Sequence, residues 1–214
     1  LKLLPISYAA IQPTPWKNGG GATREIWRYP TESTLSDFAI RCSIAEVGES
    51  GPFSNFSGYH RLICLLQGPT MELRSPKFGK PVSLEPFKPF EFDGAVPIDC
   101  SVSAPTLDFN LILRSSEFEL KTELYDLRID STTCPTKGSF SISEGTALVF
   151  FVMNGSVDVD PINDRTLPRL CALDAIIAEN FDGSSKALLT WSASRDAVLS
   201  CHRICRTNHV RRTE

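Results

Sequence analysis

Leu148-Val149-Phe150-Phe151-Val152-Met153-Asn154-Gly155 is an apolar run that stops at an amide and a glycine. It reads as a strand followed by a hairpin, because both central residues of a type I′ turn need positive φ and Asn-Gly supplies them. The chain carries a counterpart. Leu62-Ile63-Cys64-Leu65-Leu66 runs into Gln67-Gly68 in the same way. After each turn comes an alternating segment and then a second signal, Phe92-Asp93-Gly94 in one half and Phe181-Asp182-Gly183 in the other. Gly68 and Gly94 are 26 positions apart, Gly155 and Gly183 are 28 apart. An apolar strand then closes each copy, Phe109 to Leu113 and Ala187 to Trp191. Self-similarity of this kind predicts two β-barrels of one plan, fused in tandem.

The remaining sequence agrees. Arg24 to Tyr29 and Arg41 to Val47 interleave polar and apolar residues as half-buried strands do, and Arg61 to Leu66 reads as a central strand. Phe109 to Arg114 places Phe109, Leu111 and Leu113 on one face and Asn110, Ile112 and Arg114 on the other. No segment sustains a helical period, and 15 prolines and 13 glycines break the chain at short intervals. The class is all-β. The boundaries expected are a first barrel over 1–115, a second over 116–200 and a basic tail over 201–214.

Composition narrows the function. A net charge of −3 gives no reason to expect nucleic acid or an anionic membrane as partner. No run approaches the roughly 18 apolar residues that span a bilayer. Leu1-Lys2-Leu3-Leu4-Pro5 is too short for a secretory signal. Seven cysteines without CxxC pairs suit a reducing cytosol, so the expected location is cytoplasmic. The tripeptides Asn55-Phe56-Ser57 and Asn154-Gly155-Ser156 read as chance sequons. Only three histidines occur. With no H-x-H pair on any strand, a metal in the barrel is not expected, nor any other cofactor. Cys201, His202, Cys205 and His209 lie among arginines and read as a frayed basic terminus rather than a zinc site.

The densest chemistry is in Pro15-Trp16-Lys17-Asn18-Gly19-Gly20-Gly21-Ala22-Thr23-Arg24-Glu25-Ile26. Three glycines in a row let backbone approach something closely or take dihedrals closed to other residues. The stretch resembles the hallmark of the HutD/Ves family. Matches follow in the family's order: Arg41-x-Ser43-x-Ala45 with Val47, Gly51-Pro52-Phe53-Ser54-x-Phe56-x-Gly58-Tyr59-x-Arg61, Leu65-Leu66-x-Gly68, and Asp108-Phe109-Asn110-Leu111. The resemblance implies a bicupin, two tandem cupin-like barrels or jelly rolls. It also implies, for one branch, a regulatory or accessory role in histidine utilisation, with formylglutamate-like molecules as ligand.

The candidate ligand-binding residues are Trp16, Lys17, Asn18, Gly19, Gly20, Thr23, Arg24, Arg41, Ser43, Phe53, Arg61 and Asn110. Arg24, Arg41 and Arg61 sit on strands beside the motifs and are expected to form a basic patch for a carboxylate. Glu25 or Asp108 would neutralise them, and a purely structural network through those acids is the alternative. Asn18 offers its amide, and the glycine N–H groups an anion-binding nest. Phe53 would wall the pocket, Trp16 would either wall it too or anchor the glycine loop in the core, and the loop from Gly51 to Tyr59 is either a lid or a hydrophobic plug. His60 alternates with Arg61 and should point away from the barrel.

The function expected is metal-free binding of a small carboxylate metabolite in the first barrel, with the second as structural partner and homodimerisation possible. Two other classes stay open. One is an isomerase or hydrolase using Lys17 as acid or base, and the other a scaffold whose pocket is vestigial.

Overall fold

A computed structural model describes residues 1–128, 136–160, 166–183 and 186–207. It divides into two compact units, Ala9–Ser116 and a second made of Leu1–Tyr8 with Glu117–Glu214. Strands dominate both. Among the described residues the helical element is one 3-10 turn, Tyr8–Ala10.

In Ala9–Ser116 a six-stranded antiparallel sheet runs in the order Thr14–Pro15, Gly21–Tyr29, Ile40–Val47, Thr106–Arg114, Tyr59–Gln67, Phe90–Asp93. A four-stranded sheet runs Gly51–Pro52, Asp99–Val102, Met71–Arg74, Val82–Ser83. Ala45, Val47, Ile63 and Leu65 from the first sheet share a core with Met71, Leu73 and Cys100 from the second. Period-two alternation makes this possible, since one face of each strand can be apolar throughout.

The other unit repeats the plan. Its five-stranded sheet has the order Lys2–Ile6, Ala175–Asn180, Thr146–Asn154, Val198–Arg206, Phe118–Asp126, and its four-stranded sheet Lys137–Ile142, Ala187–Ala193, Ser156–Val159, Leu170–Cys171. Phe140, Phe150, Val157, Leu189 and Trp191 fill the space between these sheets.

Several expectations change. The sheets do not close into barrels: each unit is two separate hydrogen-bonded sheets over a common core. Asn154-Gly155 is not a hairpin. Thr146–Asn154 pairs with Ala175–Asn180 and Val198–Arg206, while Ser156–Val159 pairs in the opposite sheet. Gly155, at φ 76°, carries the chain across, and Gly68, at φ 112°, does the same between Tyr59–Gln67 and Met71–Arg74. A Cβ at Gly155 would lie 2.8 Å from the Ala197 Cα, and one at Gly68 2.7 Å from the Thr106 Cγ2. The closing strands also pair off differently. Ala187–Ala193 corresponds by sheet position to Asp99–Val102, and Thr106–Arg114 to Val198–Arg206.

Both chain ends differ from the boundaries read in sequence. Lys2–Ile6 pairs with Ala175–Asn180, so it belongs with the second half of the chain. Cys201–Arg206, expected to fray, completes the interior strand Val198–Arg206, with Cys201, His202 and Ile204 buried. Apolar alternation outweighs the arginines there. His209 lies outside the described residues.

Candidate functional site

Three neighbouring strands of the six-stranded sheet build the floor of a cavity in Ala9–Ser116. Ile40–Val47 turns Arg41, Ser43, Ala45 and Val47 towards it, Thr106–Arg114 turns Asp108, Asn110 and Ile112, and Tyr59–Gln67 turns Arg61. The register sets Ser43 opposite Asn110, Ala45 opposite Asp108, and Ile112 opposite both Arg41 and Arg61. One half of this face is therefore polar, and the other continues as the apolar core.

Trp16, Lys17, Asn18, Gly20 and Thr23 add one wall, and Phe53, Ser54 and Phe56 another, around about 380 Å³. Ten of the twelve expected ligand-binding residues thus line one cavity. They are Trp16, Lys17, Asn18, Gly20, Thr23, Arg41, Ser43, Phe53, Arg61 and Asn110.

Arg24 and Gly19 do not line it. Thr23 faces the cavity and accepts a hydrogen bond from Trp16 Nε1 at 2.8 Å, so Arg24, one residue on, faces the other way. Its guanidinium donates to the Ile11 carbonyl at 2.7 Å and pairs with Glu46 at 3.1 Å. Gly19 stands at the loop tip with φ 75°.

The glycine loop is held by its own backbone. Gly19 N–H donates to the Trp16 carbonyl, Gly20 N–H to Asn18 Oδ1 at 3.2 Å, and Gly48 N–H to the Gly20 carbonyl at 2.9 Å. Two of the amides expected to form an anion nest are thus already used. Asn18 spends its oxygen on the loop, leaving its NH₂ end. Gly21 is the position that must be glycine, since a Cβ there would lie 2.2 Å from the Glu46 carbonyl oxygen.

The two arginines at the cavity differ. Arg41 Nε is paired with Glu25 at 2.9 Å, and Glu25 also meets Arg28 at 3.0 Å. Arg61 is 7% exposed and makes no ion pair among the described residues. It donates to the Ser54 carbonyl at 3.1 Å and to Asn110 Oδ1 at 3.4 Å, while its Nε has no partner. The rings of Phe92, Phe53 and Phe56 surround it at 5.0, 5.3 and 5.4 Å, a cation–π enclosure. Burial pulls its pKa down to about 10, against the opposing charge of Asp108, so it stays protonated at neutral pH. His60 points away, as alternation requires, and meets Glu91 at 2.7 Å.

Asp108 is the residue the sequence reading left as a mere counter-ion. It is 1% exposed, accepts a hydrogen bond from Asn110 Nδ2 on Oδ1, and has no partner for Oδ2. Burial pushes its pKa up to about 7, although the Asn110 bond and the Arg61 charge both act to lower it. The signal was present: a carboxylate two positions before Asn110, between Leu107 and Phe109 in a strand buried almost throughout.

Cys100 also lines the cavity, but burial and Asp108 push its thiol up to about 12. A thiol so held supplies almost no thiolate nucleophile at neutral pH. The Gly51–Tyr59 segment forms a wall of the cavity, tied by Phe53 N–H to the Ile98 carbonyl and Phe56 N–H to the Gly94 carbonyl. Among the described residues no group of three or more His, Cys, Asp and Glu is placed to hold a metal ion. No helix there is long and apolar enough to cross a membrane.

A cupin 2 conserved barrel domain protein from Leptotrichia buccalis superposes over 95% of this chain and 96% of its own, with TM-score 0.57 at 8% identity, a likeness of fold alone. Fold and site define an all-β protein with cupin-like neighbours and a polar cavity between two sheets. The chain belongs to the HutD family, whose model matches residues 8–197. That family is linked to a histidine-utilisation locus. HutD from Pseudomonas fluorescens SBW25, described under a formate condition, has TM-score 0.77 and 26% identity over 97% of this chain and all of that one. An uncharacterized 21.2 kDa protein in the hutC 3′ region of Pseudomonas putida is 35% identical over 170 residues, 78% of this chain and 82% of the relative.

Proposed function

We propose that the Ala9–Ser116 cavity binds a small carboxylate metabolite of the formylglutamate type, serving a regulatory or accessory role in histidine utilisation. Arg61 carries the reading. A guanidinium that is buried, charged and without a carboxylate partner among the described residues costs several kcal/mol unless something neutralises it. It lines a cavity of about 380 Å³, within the usual range for small ligands. Arg41, already paired with Glu25, contributes a second, weaker attraction. Ser43, Asn110 and the Asn18 amide provide neutral hydrogen bonds, and Trp16, Phe53 and Phe56 apolar wall.

We read the two units as tandem cupin-like domains, an interpretation supported by their matching strand orders. The first unit is then the binding one.

Isothermal titration with N-formyl-L-glutamate, L-glutamate and urocanate tests the reading. One of the three is expected to bind, and Arg61→Gln to weaken that ligand about ten- to a hundredfold, the worth of a charge-assisted hydrogen bond of about 1.5–3 kcal/mol. Equal affinity in the variant, or no binding of any of the three by a folded wild type, overturns it.

A further inference from the structure

Asp108 is in a position that an anion-binding cavity does not need and that an ionised carboxylate does not favour. Its side chain faces the same space as Arg61, the two joined through Asn110, which gives its NH₂ to Asp108 and its oxygen to Arg61. Asn110 thereby fixes which way round the chain runs: Asp108 Oδ1 accepts, and Oδ2 is left over on a residue that lines the cavity. Oδ2 is buried and without a partner. An ionised carboxylate in that state, beside an incoming carboxylate, would meet both desolvation and like-charge repulsion. A neutral one has a hydrogen to give.

We infer that Asp108 is protonated in the bound state and donates from Oδ2 to an oxygen of the ligand, so that the cavity takes up its carboxylate together with a proton. This rests on the binding reading above and adds its chemistry at the buried end. Arg61 and Asp108 both present donors there, so that end selects an acceptor group, a carboxylate or formyl oxygen, and rejects an ammonium. The ligand class is thus an acid that presents a carboxylate or formyl oxygen, and no amine, at the buried end.

The other charged or titratable groups around Asp108 are Arg61 on the Tyr59–Gln67 strand, Arg41 on Ile40–Val47 and Cys100 on Asp99–Val102. Cys64 on the Tyr59–Gln67 strand also feels its charge, and Lys17 and Glu49 stand on the loops of the cavity wall. Arg61 at about 10, and Cys64 and Cys100 at about 12, hold their charge states through the neutral range. Asp108, at about 7, does not. An empty cavity therefore ionises Asp108 above neutrality, and anion binding must restore the proton.

The test is calorimetric titration of the full chain with N-formyl-L-glutamate, L-glutamate and urocanate between about pH 6 and about pH 8.5, at each pH in two buffers of different ionisation enthalpy. Affinity should fall about tenfold or more across that range, and proton uptake should approach one per ligand at the alkaline end. Asp108→Asn, which cannot titrate, should lose the pH dependence. The wild-type buffer comparison gives the answer even if that variant fails to fold. Binding that is flat with pH and takes up no proton overturns this inference and leaves the carboxylate receptor standing. Affinity that rises with pH, strongest for L-glutamate, overturns it in favour of an ionised Asp108 facing an ammonium. No binding of any of the three by the folded wild type at any pH removes both readings.

Discussion

Asp108 and Arg61 pull the stability of Ala9–Ser116 in ways that can be measured without any ligand. The folded pKa of Asp108 is about 7 against an ordinary 3.8, so between those values the native state holds a proton that the unfolded chain has released. Stability from this group is fully present below 3.8, declines as pH rises, and is gone once pH passes about 7. Asp108→Asn carries no such penalty. Urea denaturation of the two proteins should show the difference moving in favour of the variant as pH rises from about 4 to about 7, then staying constant. A difference unchanged with pH would mean that Asp108 is ionised throughout. Arg41, Arg61 and Asn110 were legible as cavity residues because polar side chains recur beside sharp motifs. Which arginine was in need of an anion was not, since Glu25 reaches Arg41 and Glu46 reaches Arg24 only through strand register.

The glycine loop and the sheet crossings are where backbone geometry, rather than side-chain chemistry, decides the sequence. Gly21 packs under the Glu46 carbonyl and against Trp16, while a Cβ at Gly20 would find nothing closer than 3.6 Å. Gly21→Ala should therefore cost about 2 kcal/mol or more in a denaturation experiment, and Gly20→Ala less than about 0.5 kcal/mol. Equal costs would show that the loop relaxes as a whole. Strands were readable from alternation, and so were the chain reversals at Gly68 and Gly155. The partner of each strand was misread after Asn154-Gly155, because a positive φ glycine serves a hairpin and a crossover between sheets equally well. Local preference selects the dihedral, and only the neighbouring core selects the direction taken afterwards.

For the molecule as a whole, sequence order and structural membership part company at residues 1–8. Lys2–Ile6 is the edge strand of the five-stranded sheet, and Leu3 is buried in the core of Phe150 and Trp191. Deleting residues 1–6 should strip hydrogen-exchange protection from Ala175–Asn180 while Ala9–Ser116 keeps its own. Loss of protection in Ala9–Ser116 instead would contradict the division into two units. What the amino-acid sequence determined was class, family and about half of the cavity's lining, because alternation, turn residues and motif spacing are short-range properties. What the tertiary structure alone decided was the two-sheet pairing in each unit, the exclusion of Arg24, the burial of Arg61 without an ion pair among the described residues, and the unpartnered Asp108 Oδ2. Those depend on which groups meet across strands far apart in the chain, and burial then shifts their charge states in a way no linear pattern encodes.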